Sequence, residues 1–279
     1  MNTKRLKVIF SVVALAVLLT GCSTSSELIT LDTSFKEIMN DGFFAAVFTY
    51  PLSQAINVLT PKVGIFMAIT LVTVLLNVIV LAITFKSTVS MQRMQEMQPE
   101  LQKIQAKYEG RTDDLSQQRM SMEMQALYKK YDVNPFGALA ASFIQFPLLF
   151  GMYSAVRRSS AVATATFMGH NLAMTPREAI TEKVWVCVII FVLMIVTQFI
   201  SMKVSQWLAE YRGKKEADKH HKTYKKPQQQ NMGMMYGMLA MIAFAMLSWP
   251  TALSLYYCIY SLVNIIKTVV VDALTHKEG

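Results

Sequence analysis

The stretch ITLVTVLLNVIVLAITFK, residues 69–86, decides the fold of this chain of 279 residues. It belongs to an apolar run over residues 62–85, and a helix needs about 20 such residues to cross the hydrocarbon core of a bilayer. Asn77 interrupts the run with an amide, and each unpaired polar group in hydrocarbon costs roughly several kcal/mol. The stretch therefore predicts a membrane-spanning helix in which Asn77 does not face lipid.

Four further apolar runs, at residues 137–156, 183–202, 233–248 and 251–271, follow the first one. The chain is 53% hydrophobic and only 16% charged, a composition typical of membrane proteins. Trp249-Pro250 separates the last two runs, because proline does not continue a helix from the residue before it. We predict an all-α membrane protein with five transmembrane helices around a hydrophilic groove, its core covering residues 62–271.

Residues 1–21 are predicted to be a lipoprotein signal peptide. A basic start precedes the short apolar core VIFSVVALAVLL and then LTGC, which ends at Cys22. This ending is similar to a bacterial lipobox, in which cleavage precedes the cysteine and the thiol carries a lipid. A plain secretory signal with an incidental cysteine is the alternative. Cys187 and Cys258 lie in apolar runs and are interpreted as core residues.

The basic residues predict how the chain crosses the membrane. Residues 86–134 and 203–231 carry eight Lys or Arg each, whereas the segments on the other side carry six in total. Cytoplasmic loops are enriched in these residues, so both basic segments are placed in the cytoplasm. Residues 22–61 are then extracellular and residues 272–279 form a cytoplasmic tail. The net charge of +9 follows from this topology and favours anionic lipid or ribosomal RNA as partners.

Polar side chains form stripes on four of the predicted spans, because a helix turns about 100° per residue. The candidate groove-lining residues are Thr70, Thr73, Asn77 and Thr84 in the first span, Ser142 and Gln145 in the second, Gln198 in the third, and Ser254, Tyr257 and Ser261 in the fifth. Such residues often join helices at a packed interface. Four stripes are hard to satisfy pairwise in a small bundle, so we favour a shared hydrophilic groove.

Residues 86–134 predict an antiparallel helical hairpin with apolar residues at spacings of three and four. Its candidate client-contact residues are Met94, Met97, Leu101, Met120 and Met124. Methionine adapts to varied apolar partners, although the hairpin could equally be a solvated stalk. Residues 203–231 are interpreted as a basic loop that contacts lipid or RNA.

No nucleophile-base pair, metal cluster or phosphate-binding loop is present in the sequence, so we predict no enzyme, no cofactor and no metal site. A small-solute channel or transporter is disfavoured, because the spans show no inverted repeat and no acidic residue. A membrane scaffold that has lost insertion remains an alternative.

Taken together, the lipobox, the five spans, MQPELQKIQAKY in the hairpin, NPF…FIQFPLLFGMY, Gln198 and WPTALSLYYCIYSLVNI resemble the YidC/Oxa1/Alb3 family of membrane protein insertases in its Gram-positive form. The resemblance covers nearly all of the mature chain. It implies insertion and folding of nascent membrane proteins, alone or with the Sec translocon, without nucleotide hydrolysis. It also implies cytoplasmic loops that meet the ribosome and a targeting receptor, and a location in the bacterial cell membrane.

The chain departs from the family pattern at several positions. Asn77 stands where the family has an arginine, Ala82 replaces a proline, and Tyr257 replaces a tryptophan. Residues 138–141 replace the family's Gly-Cys-x-Pro. The missing arginine matters most, because that cation attracts acidic stretches of an incoming chain. We interpret this protein as a divergent paralogue with a narrower set of clients.

Overall fold

The computed structural model describes residues 27–219 and 232–275, with the backbone alone at residues 136–144 and a few helix positions further on. The helices are α1 Phe35–Asn40, a π-helix Ala45–Thr49, α2 Tyr50–Glu96, α3 Gln98–Lys107, α4 Asp114–Lys130, α5 Pro135–Arg158, α6 Ser160–Thr164, α7 Pro176–Thr181, α8 Trp185–Lys219, α9 Met232–Met246 and α10 Thr251–Thr275. Two short strands, β1 Thr166–Phe167 and β2 His170–Asn171, pair antiparallel. The predicted all-α class is confirmed.

Three of the described helices are long and apolar enough to cross a membrane. They cover Ala45–Glu96, Trp185–Arg212 and Thr251–Leu274, over the predicted first, third and fifth spans. Helices α5, with 24 residues, and α9, with 15 residues, lie over the predicted second and fourth spans. The total of five spans stays a prediction.

Helix α2 is interrupted at Gly64, whose φ of 79° and ψ of 159° are not helical. Glycine adopts this conformation readily because it has no Cβ, whereas other residues are strained there. The interruption separates residues 50–63 from the apolar run that follows. The predicted start of the first span, at residue 62, lies two residues before this interruption and stays a prediction.

The chain divides into two compact units. Unit 1 comprises the chain up to Leu75, Ile144–Met194 and Phe244–Ile259. Unit 2 comprises Leu76–Phe143, Ile195–Ala243 and the chain from Tyr260 onward. Each unit contains its own packed side chains.

Unit 1 contains a close helix-helix approach at Gly151 on α5. A Cβ added at this position would lie 2.8 Å from the Cβ of Phe48, closer than any real contact of this kind. The same unit holds the first turn of α10 in place, since Thr251 and Ala252 donate their amides to the carbonyls of Met174 and Leu172 at 2.8 and 2.9 Å. These bonds pair amide groups that a helix start otherwise leaves without partners.

Unit 2 contains the antiparallel hairpin of α3 and α4 that the residue spacing predicts. Pro99 lies in the first turn of α3, a position where proline is tolerated because no helical amide bond is lost. Gly110 turns the chain with a φ of 77°, and the Asp113 side chain caps α4 by accepting from the Ser116 amide at 2.9 Å. The cytoplasmic location of the hairpin stays a prediction.

Two carboxylates connect the helices of the hairpin. Glu123 on α4 accepts hydrogen bonds from Lys107 and from the Tyr108 hydroxyl. Glu100 on α3 accepts from Lys130 and, at 2.8 Å, from the Tyr131 hydroxyl. Partial burial raises the pKa of Glu100, but these two hydrogen bonds outweigh burial and the net pKa lies below its usual value. The bonds from Lys107 and Tyr108 lower the pKa of Glu123 in the same way.

The prediction of a basic loop over residues 203–231 is wrong for its first part, because α8 continues to Lys219. Lysine, glutamate and alanine favour helix, and Lys214 pairs with Glu210 one turn earlier at 3.0 Å. The predicted tail at residues 272–279 likewise begins inside α10, which ends at Thr275. Residues 1–26, 220–231 and 276–279, with Cys22, lie outside the described residues.

We predict that the hairpin loses stability in acid. Carboxylates with a lowered folded pKa stabilise the fold above the unfolded pKa, and this contribution disappears as the pH falls through the folded pKa. Hydrogen exchange of residues 98–130 in the solubilised chain should therefore be independent of pH above about 5, after correction for intrinsic rates, and should accelerate below about 4.5.

The double variant Glu100→Gln and Glu123→Gln supplies the control, because it cannot titrate at these sites. Its exchange should be faster than that of the parent at neutral pH and should change less in acid. An acid response equal to that of the parent would contradict the assignment.

Candidate functional site

The polar stripe of the first span lies on the packed side of helix α2. Thr73 and Thr84 are buried and Asn77 is half-buried. The most exposed apolar side chains around them lie on the opposite side of the helix: Leu71, Val74, Leu75, Val78, Ile79 and Ile83. Asn77 thus lies on the side of α2 away from most of its exposed apolar side chains.

The threonines of this stripe are satisfied within their own helix. The hydroxyls of Thr70, Thr73 and Thr84 donate to the carbonyls of Phe66, Ile69 and Val80, four residues earlier, at 2.7 to 2.8 Å. This bond is a common solution for threonine in a spanning helix, because it leaves no donor unpaired in an apolar environment. These three residues therefore do not require water in order to be buried.

The stripes of α8 and α10 pack directly against each other in unit 2. Ser261, which is fully buried, donates to Gln198 Oε1 at 2.5 Å, and Asn264 donates to the Ser201 hydroxyl at 3.0 Å. The expectation that the stripes are too numerous to be satisfied pairwise is wrong for these four side chains. Residues three apart lie on one face of a helix, so two adjacent helices can align such rows. Gln198 and Ser261 form part of a helix interface.

The same two bonds define the relative direction of the two helices. Both partners advance by three residues from the first bond to the second, so α8 and α10 run parallel. At their far ends, Arg212 and Asp272 form a bidentate ion pair. Paired charges are the form in which ionised side chains are tolerated near a bilayer core.

Two predicted groove residues in unit 1 differ from the rest. Gln145 Nε2 and Ser254 Oγ are buried, and neither atom has a hydrogen-bond partner among the described residues. A buried polar atom without a partner costs about 1–3 kcal/mol, and ordered water is the common way to satisfy it. These two positions are where the structure favours a hydrated recess.

The remaining groove candidates give less information. Tyr257 is buried, with its ring edge-on to that of Tyr256 at a centroid distance of 5.3 Å. Ser142 is among the residues for which the structure describes the backbone alone. The assignment of all ten residues to a common groove stays a prediction.

The apolar residues of the hairpin pack against each other. Met97 and Leu101 are buried with Leu127 and Val133, and Met94 and Met124 pack against this cluster. Met120 is half-buried and lies outside it. These buried side chains hold the two short helices together, and the role of Met97 and Leu101 in client contact stays a prediction. The exposed apolar side chains of the hairpin are Leu115 and Met122.

Several contacts in unit 2 were not predicted from the sequence. Gln92 Nε2 donates to the Thr268 carbonyl at 2.9 Å and borders a small recess that Asp272 also lines. Lys267 on α10 is half-buried and forms no ion pair with any described residue. A lysine inside an apolar run is visible in the sequence, whereas the pairing of Gln92 with Thr268, 176 positions later, has no local signal.

No group of three His, Cys, Asp or Glu side chains could hold a metal ion in the described part of the chain. Long apolar helices, polar groups turned away from lipid and paired charges define a multi-pass α-helical membrane protein.

Comparison with known proteins places the chain within this class. The family model of the 60Kd inner membrane protein matches residues 58–278. The chain belongs to this family, which is the YidC/Oxa1 family, and is a multi-pass protein of the bacterial membrane.

Individual relatives agree with the family assignment. The chain is 30% identical to membrane protein insertase YidC 2 of Bacillus anthracis over 265 residues, covering 94% of this chain and 91% of the relative. It is 33% identical to membrane protein insertase MisCA of Bacillus subtilis over 171 residues. That alignment covers 61% of this chain and 62% of MisCA, less than two thirds of its length.

We predict that water-soluble thiol reagents distinguish the two kinds of polar position. In a chain with Cys187 and Cys258 replaced by alanine, cysteines at positions 145 and 254 should react readily in membranes. Cysteines at positions 201 and 261 should react slowly, because the packed interface between α8 and α10 leaves no room for water or the reagent.

A cysteine at the exposed apolar position 79 provides a lipid-facing reference, and the parent without an added cysteine gives the background. If positions 145 and 254 react no faster than position 261, the hydrated recess is absent.

Proposed function

We propose that this chain is a membrane protein insertase and chaperone, which inserts and folds nascent membrane proteins alone or with the Sec translocon. The observation that carries the proposal is the family match over residues 58–278, together with an insertase relative aligned over 91% of its length. In this proposal the protein is not an enzyme: it lowers the cost of moving polar segments across the hydrocarbon core and makes no covalent bond.

The proposed mechanism uses a polar groove open to the cytoplasm and to lipid. The buried Gln145 and Ser254 atoms without partners support it, because water that satisfies them could also hydrate a polar segment of the client. The packed position of the Asn77 stripe, opposite the exposed apolar side of α2, also supports it. Gln198 and Ser261 take the role of holding α8 to α10.

The proposed topology has a lipid-anchored Cys22 outside the cell and the hairpin, the basic segment and the C-terminus in the cytoplasm. The parallel direction of α8 and α10 supports it, because both helices then run from the outside inward. The basic residues of the hairpin and of residues 203–231 are proposed to meet anionic lipids, the ribosome and a targeting receptor.

Asn77 sets a limit on how strongly this groove attracts acidic clients. A unit-charge pair at 4 Å is worth about 4 kcal/mol at an effective dielectric near 20, whereas a hydrogen bond from an amide adds about 1 kcal/mol. Asparagine also avoids the roughly 3 kcal/mol that an arginine costs near mid-membrane. The presence of Asn77 in place of the family's arginine also favours a second candidate function. In that alternative the chain is an insertion-deficient paralogue that acts as a membrane scaffold.

We predict that this chain restores insertion when a resident insertase is depleted. The experiment follows protease protection of a small single-span client in depleted cells that express this chain, an empty vector or the resident insertase. Rescue above the empty vector is expected. Failure at normal membrane levels of the chain would favour the scaffold.

We predict that Asn77→Arg selectively improves insertion of a client with an acidic translocated tail. The cost of placing the arginine near mid-membrane offsets most of the attraction of about 4 kcal/mol. Insertion of the acidic-tail client is therefore expected to increase by only a few fold. Asn77→Gln is the matched control, since it keeps the amide without adding charge, and a client with a neutral tail should not respond. An unchanged acidic-tail client, at equal levels of the variant, would remove this explanation of client choice.

A further inference from the structure

Lys267 is a charged side chain inside a membrane span that pairs with none of the described residues. It belongs to the span Thr251–Leu274 on α10 and is half-buried. Its ammonium forms no hydrogen bond or ion pair with any residue that the structure describes. A charge that is partly removed from water is unfavourable unless it is paired, and ionisable side chains inside spans commonly mark functional sites.

The charged residues near the end of α10 already compensate one another. Arg212 and Asp272 form a bidentate ion pair. Glu96 on α2 lies close enough to attract the same arginine. The two acidic side chains therefore have a cation of their own within unit 2, and Lys267 remains available for an anion that comes from outside the described residues.

Lys267 lies at the border between the packed and the exposed apolar side of α10. On a helix that turns about 100° per residue, it is about 60° from Asn264, which donates to Ser201, and about 40° from the buried Val271. Ile266, which is 62% exposed, lies about 100° away in the opposite direction. The lysine therefore adjoins the polar helix interface and is not centred on the apolar surface.

The level of Lys267 along the helices differs from that of Asn77. Gln92 Nε2 donates to the carbonyl of Thr268, the residue after Lys267. Asn77 precedes Gln92 on α2 by fifteen residues, or about 22 Å at 1.5 Å per residue. Lys267 is five residues before Asp272, near the end of α10 that the proposed topology places in the cytoplasm. The ammonium thus lies near the cytoplasmic entrance, far from the neutral amide of Asn77.

Two kinds of anion can reach a lysine near this end of a span: a carboxylate of a client, or the phosphate of an anionic lipid. A lysine that binds headgroups extends along the lipid-exposed side of its helix. Lys267 is half-buried and shares a helix side with Asn264, whose amide bonds a neighbouring helix. This position favours a polar polypeptide over a lipid headgroup.

We propose that Lys267 binds carboxylates in an acidic segment of a nascent client at the cytoplasmic entrance of the groove. The proposal rests on the proposed insertase function and names one residue that determines which clients are favoured. An acidic segment is attracted as it enters, and it then meets the uncharged Asn77 deeper in the membrane. Attraction at the entrance leaves no strong ion pair to be broken at mid-membrane.

Zero-length cross-linking tests the contact directly. A client with three aspartates in its translocated segment is stalled on ribosomes and bound to membranes that contain the full chain. A carbodiimide then joins a client carboxylate to a lysine amine within ion-pair distance, with loss of water. Mass spectrometry should find the client joined to Lys267, and a client with asparagine at the same three positions should give no product there.

Substitutions separate the charge of Lys267 from its position, with protease protection of the client as the readout. Lys267→Gln should lower insertion of the aspartate client by about fivefold, as expected for one partly exposed ion pair, and leave the asparagine client unchanged. Lys267→Arg should retain insertion because it keeps the charge. The matched control combines Lys267→Gln with Ile266→Lys, which moves the charge to the exposed apolar side at nearly the same depth. It should not restore insertion.

Three results, each at equal membrane levels of the variants, would overturn the proposal. One is the absence of a cross-link between the aspartate client and Lys267. Another is an equal loss of insertion for the two clients, which indicates a packing role. The third is restoration by the displaced lysine, which indicates a lipid phosphate. If the parent chain inserts neither client, the proposed insertase function fails, whereas the cross-link still decides whether Lys267 contacts the acidic segment.

Discussion

The absence of water inside a bilayer is the constraint on which the rest of this structure depends. Every polar group within a span must find a partner in the protein, since lipid supplies none. Thr73 satisfies the rule within its own helix, and Ser261 satisfies it with Gln198 on a neighbouring helix. Arg212 and Asp272 satisfy it as an ion pair at the helix ends. The polar stripes of α8 and α10 therefore join two helices, whereas the threonines of α2 need no second helix.

In the proposed mechanism, function depends on places where that rule is not met among the described residues. The Gln145 amide and the Ser254 hydroxyl are buried without described partners, and each keeps an unused capacity for a hydrogen bond. A groove that lowers the cost of moving a polar segment needs such capacity, because a fully satisfied interface offers a client nothing. Asn77 also combines a cost with a capacity for interaction. Burying it in the membrane costs less free energy than burying an arginine, but it attracts an acidic client segment less strongly.

Outside the spans, packing of apolar surface sets a similar limit. The methionine-rich seam of the hairpin, with Met97 at its centre, is buried in the contact between α3 and α4. Surface that stabilises the hairpin is not simultaneously available to a client. Residues 27–43 are the opposite case, because Ile29 and the Arg158–Asp41 pair hold them in place while the Phe43 side chain stays exposed.

The sequence by itself determined the class, the family and most helix positions, because apolar run length and the spacing of residues such as Pro99 and Gly110 are local properties. It also indicated that Asn77 lies on the packed side, since a helix turns by a fixed angle per residue. Its failure at residues 203–219 came from treating charge as a sign of a loop, although lysine and glutamate are good helix formers.

Only the tertiary structure decided which polar groups are paired. The partners in each pair are far apart in the chain, as in Gln198 with Ser261 and Arg158 with Asp41. The local sequence around one residue does not indicate which residue it pairs with. A hydrogen bond depends on positions to within a few tenths of an ångström, which arise from the packing of whole helices. For that reason the same stripe of serine and glutamine could be predicted as a surface, but its role as a helix interface could not.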